Sequence, residues 1–119
     1  MTEITNIPGE FKITLAGKEK TIKATFGAVE KLENDLFRRT IFEVLNDALS
    51  GKVTFNNVVS VIQVGLEASR NDTRMSRQEI GEAVFADGLT AFIPPFIEYL
   101  TYCLTGGKKQ GAKKASGEA

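Results

Sequence analysis

Residues 9–25 read GEFKITLAGKEKTIKAT, and their reading decides the fold. Phe11, Ile13 and Leu15 alternate with Lys12 and Thr14. After Ala16-Gly17-Lys18, Ile22 and Ala24 alternate with Thr21 and Lys23. Side chains of a strand point alternately to its two faces, so each arm carries one apolar face. Gly17 tolerates the positive φ of a tight turn, and the stretch is expected to be a β-hairpin. A lone hairpin is marginal in water, so its apolar face must be covered by the remainder of the chain.

From Thr25 onward the apolar residues recur with helical period. A first helix is expected from Thr25 or Phe26 to about Phe37, with Phe26, Val29, Leu32 and Leu36 as its stripe and a break at Arg38-Arg39. Thr40 and Glu43 form a capping box for a second helix, whose expected face is Ile41, Leu45, Ala48 and Leu49, with Gly51 as the stop. Thr54 caps a third helix, with Phe55, Val58, Val59, Ile62 and Leu66 on one face. Val61 and Val64 make its opposite side apolar, as suits either a central helix or half of a partner surface. Ser76 and Glu79 box the start of a fourth helix, which stops at Asp87-Gly88. In the last apolar segment Pro94-Pro95 must interrupt any continuous helix. A short turn is expected before the prolines, then a helix from about Pro95 to Leu104.

The expected fold class is therefore α+β: an N-terminal hairpin followed by a bundle of four to five short helices. Residues 1–8 are expected as a flexible N-terminus and 9–104 as one domain. Residues 105–119 have no apolar side chain larger than Ala and are expected to be a disordered Gly/Lys-rich tail.

The 119 residues are 42% apolar and 25% charged, an ordinary globular balance, with fifteen basic residues against fifteen acidic. A neutral chain gives no general reason to expect nucleic acid or an anionic membrane as partner. The N-terminus lacks a basic region followed by an apolar stretch, so no signal peptide is expected. No apolar run approaches the ~18–20 residues of a membrane span. One cysteine permits no internal disulfide and fits a reducing, cytoplasmic setting.

Little of the usual catalytic equipment is present. There is no His to act as base for Cys103, whose place on an apolar stripe suits a packed thiol. No cluster has metal-ligand spacing. Glu30 with Glu33 and Glu79 with Glu82 share helix faces, but among polar neighbours, as on a solvated surface. Gly106 and Gly111 have the spacing of a phosphate loop, yet Ala112 stands where that motif needs Lys. The tight second and third helices suggest helix-turn-helix DNA binding, but Lys52 is the only basic residue from Ile41 to Leu66. No enzyme, cofactor or metal is expected.

The order of segments resembles the small tail proteins of long-tailed phages and gene transfer agents, a family grouped with tail assembly chaperones. Gly9-Glu10, Leu15-Ala16-Gly17-Lys18, Leu32-Glu33, Ile41-Phe42 and Leu45 carry the resemblance in the first half. Phe55, Val58, Gly65-Leu66, Ser76 to Ile80 and Gly88-Leu89 carry it in the second. The resemblance implies a non-enzymatic chaperone in the bacterial cytoplasm that binds the tape measure protein and assists tail tube assembly. A structural protein of the tail tube or tail end is the alternative, and a small DNA-binding regulator the second. The implied partners are the tape measure and tail tube proteins, with self-association left open. An apolar partner needs an apolar face. The candidates are Val61, Val64, Phe92, Phe96, Tyr99, Leu100 and Tyr102.

Overall fold

A computed structural model describes residues 8–69 and 75–106. Strand β1 (Glu10–Leu15) pairs antiparallel with β2 (Lys18–Lys23), with Leu15 opposite Lys18 and Phe11 opposite Ile22. Ala16 and Gly17 form the turn at φ 54° and 79°. Two successive left-handed residues are the type I′ geometry that matches the twist of a hairpin. Ile13, Leu15 and Ile22 are buried, as the alternation requires.

Helix α1 (Phe26–Lys31) starts at Thr25, whose hydroxyl accepts the Ala28 N–H at 3.0 Å. It continues as a π-helical turn over Leu32–Leu36, closed by the Phe37 N–H on the Leu32 carbonyl at 2.6 Å. The break comes at Arg38, at φ 57°. Helix α2 (Ile41–Leu49) has the expected capping box, with the Glu43 N–H on Thr40 Oγ1 at 3.0 Å and the Thr40 N–H on Glu43 Oε1 at 3.2 Å. Helix α3 (Phe55–Ser69) starts at Thr54, which accepts the Asn57 N–H. Helix α4 (Arg77–Asp87) repeats the box with Ser76 and Glu79 and ends at Gly88. A 3-10 turn (Leu89–Phe92) leads into α5 (Ile93–Thr105). Pro94 and Pro95 lie in the first turn of α5, where a missing N–H breaks no helical bond. The architecture is α+β, a hairpin followed by five helices among the described residues. Helix α5 reaches Thr105, the first residue of the expected tail; residues 107–119 and most of the expected flexible N-terminus lie outside the described residues.

Helix α3 is the central element. Val58, Val59, Val61, Ile62, Val64 and Leu66 are all buried, so it is apolar on every side because it is surrounded. It packs against β2, α4, α1 and α5. Its one buried hydroxyl, on Ser60, accepts from Arg77 at 3.2 Å, and Arg77 also donates to Gln63 Oε1 at 3.1 Å. This pins the start of α4 to α3.

Helix α3 and the hairpin approach each other closely at Gly65. A Cβ on Gly65 would lie 2.5 Å from the Ile22 Cβ. Glycine is therefore a packing requirement at that point of the helix. Gly65→Ala gains ~0.5–1 kcal/mol of helix propensity and loses about 1–3 kcal/mol to overpacking. Net destabilisation is the expected outcome, read as a lower urea midpoint. Trimming the partner with Ile22→Ala in the same chain makes the loss less than additive.

Candidate interaction surface

The apolar stripe of α5 is core. Phe92, Phe96, Tyr99 and Leu100 are buried, and so are Val61 and Val64 of α3. This corrects their assignment to a partner surface, because α2 and the hairpin cover the face of α5 and the other elements surround α3. The Tyr99 hydroxyl donates to the Lys23 carbonyl at 2.7 Å, so even its polar tip is used inside the fold. Tyr102 is half-buried, edge-on to Phe11 at 6.0 Å between ring centroids. Phe11 also meets Tyr99 at 5.8 Å. The aromatic residues of α5 therefore seat β1 and β2.

Among the described residues, the large apolar side chains left outside are different ones: Phe26, Phe42, Leu49, Phe55, Phe85 and Leu104. On α2 the buried line is Ile41, Val44 and Ala48. Leu49, expected inward, is 64% exposed, Phe42 is 63% exposed, and Leu45 between them is half-buried. Spacings of three and four set these three along one side of the helix. Phe26, expected on the first stripe, is 76% exposed at the start of α1. Phe85 is equally exposed, and its ring lies 6.2 Å from that of Phe55, bridging the end of α4 to the start of α3. Exposed phenylalanines in this number mark surface that a partner can cover.

The signal for these residues was present in the sequence. Phe85 falls in line with Gln78 and Glu82, on the polar side of α4. Five large apolar residues in the nine of α2 exceed what one inward face needs.

The acidic pairs are partly occupied by structural bonds. Glu33 Oε2 accepts the Ile41 N–H at 2.8 Å, Glu79 belongs to a capping box, and Glu82 accepts from Gln78 at 2.8 Å. Among the described residues no group of three or more His, Cys, Asp or Glu is placed to hold a metal. The half-buried Cys103 thiol is pushed up to about 12, first by burial and then by the charge of Glu33. Burial, then Cys103, moves the Tyr99 hydroxyl above its ordinary range. Among the described residues no single helix is long and apolar enough to cross a membrane.

Residues 8–114 match the model of a family described as phage tail tube protein, GTA-gp10. The chain belongs to this family. The match supports the phage and gene-transfer-agent tail assignment made from the order of segments. The description names the tail tube, which favours the structural role placed second on sequence over the chaperone placed first. Neither the curated proteins nor the solved structures hold a match.

For this tail protein, surface and core phenylalanines are expected to respond differently to truncation. Phe42→Ser and Phe85→Ser change unfolding free energy by no more than about 0.5 kcal/mol, whereas Phe96→Ala costs about 3–5 kcal/mol. Urea titration of the three variants compares them. Cys103 stays protonated and slow toward iodoacetamide at neutral pH. Its rate in the folded protein rises about tenfold per pH unit up to the raised value, and levelling off near pH 9 would contradict the shift.

Proposed function

We propose that the protein is a non-enzymatic component of the tail tube or its end, working by binding other tail proteins. The match to a tail tube family over residues 8–114 carries this reading. The exposed aromatic side chains support it, because the core is already filled and these residues are left for contacts outside the chain. Tape measure and tube proteins are the proposed partners, and the bacterial cytoplasm is the proposed place of assembly.

One observation favours a second reading, the assembly chaperone. Among the described residues the sheet is a single pair of six-residue strands. Rings built by sheet pairing between subunits need long edges, and these are short. A chaperone needs only apolar surface on a compact body.

Quantifying the chain in purified tails separates the two. A tube component is expected in finished tails at a fixed ratio to the other tail proteins. Absence from finished tails, together with tape measure protein that stays soluble only when this chain is co-expressed, would replace the first reading with the second.

A further inference from the structure

A groove of about 580 Å³ runs beside β1. Lys12, Ile13 and Thr14 form one side, and Phe92, Pro94 and Pro95 are on the α5 side. Asp87, at the end of α4, and Glu98, on α5, also line it. No residue of β2 lines it, so it follows the outer edge of β1. The direction of each backbone group on that edge comes from the ladder. Leu15 and Lys18 flank a two-residue turn, and the Ala24 N–H reaches the Gly9 carbonyl at 2.8 Å. In an antiparallel pair, hydrogen-bonded and non-hydrogen-bonded partners alternate. Phe11, Ile13 and Leu15 therefore bond to β2. Glu10, Lys12 and Thr14 point their N–H and C=O groups away from it. Among the described residues no other strand pairs with this edge.

A row of outward N–H and C=O groups beside a groove is a template for an added strand. We infer that the groove takes an extended segment of another tail protein, paired with the outer edge of β1 and carrying Lys or Arg toward Asp87 and Glu98. The inference rests on the proposed binding of tail proteins and names the chemistry of one partner segment.

The two walls of the groove ask for different things. The strand side offers backbone hydrogen bonds, which any extended segment can use. On the helix side, Pro94 and Pro95 have no backbone N–H, so this wall gives apolar contact and does not compete for the partner's carbonyls. Charge sets the choice of partner. Asp87 and Glu98 are exposed and form no ion pair among the described residues. Side chains of an added strand alternate between its faces. Those turned toward the helices meet Phe92 and Pro95, with the two carboxylates nearby, so apolar and basic side chains suit that face. Those on the other face lie beside Lys12 and Thr14 and are neutral or acidic. A second copy of this chain fits poorly. Pairing β1 with β1 about a two-fold axis brings the copy's Asp87 and Glu98 to the same seam, like charge against like charge.

Photo-cross-linking in cells assembling tails tests this, with a light-activated residue in place of Ala91, an exposed residue of the groove wall. The expected capture is one segment of another tail protein that contains Lys or Arg. Thr14→Pro removes an outward donor and leaves the bonds to β2, and it lowers the yield about tenfold or more. Asp87→Lys with Glu98→Lys, both at exposed positions that leave the fold intact, lowers it about fivefold or more. Capture of a segment without Lys or Arg overturns the inference, as does capture of this chain itself, whether within one molecule or from a second copy. So does a yield that the double charge reversal leaves unchanged. Silence at Ala91 while Phe42 or Phe85 cross-links to a tail protein overturns the inference and leaves the proposed function standing. Silence at all three positions removes both.

Discussion

The contact between Gly65 and Ile22 is the constraint on which the rest of the structure depends. It lets the hairpin lie directly on the central helix, with no side chain of α3 between them at that point. A two-stranded sheet has too little apolar face to persist alone. Here that face is sealed by α3 near Ile22 and by the aromatic end of α5, through Phe11, Tyr99 and Tyr102. The Tyr99 hydroxyl then fixes the far end of β2 through the Lys23 carbonyl. The helices in turn use the hairpin as one wall of their core.

That arrangement explains which apolar residues are free for function. Covering the hairpin uses the aromatic stripe of α5, the greasiest part of the chain. Surrounding α3 uses Val61 and Val64. Among the described residues, the large apolar side chains remaining outside lie on the side of α2 that carries Phe42 and Leu49, at the start of α1, at the Phe55–Phe85 pair and at Leu104.

Local chemistry was legible in the sequence wherever it acts within a few residues. The two capping boxes, the hairpin turn and the interruption before Pro94-Pro95 all stand where the residues put them. Each depends on neighbours three or four positions away, which a sequence displays directly. The π-helical turn at Leu32–Leu36 was not legible, because none of its residue types marks one locally. The facing of α2 was legible only in part: Ile41 and Ala48 are buried as expected, while Val44 is buried in place of Leu45 and Leu49. Its two apolar lines lie about one residue's rotation apart, and only packing against α5 selects Ile41, Val44 and Ala48. The same limit misplaced the partner surface. Apolar periodicity on α5 reports burial, and it does not distinguish burial by this chain from burial by a partner.

Photo-cross-linking during tail assembly tests the central claim most directly, with a light-activated residue replacing Phe42 in one chain and Phe85 in another. Cross-links from either position to another tail protein are the predicted result. Cells that assemble tails normally, with neither position cross-linking to any tail protein, would contradict the account.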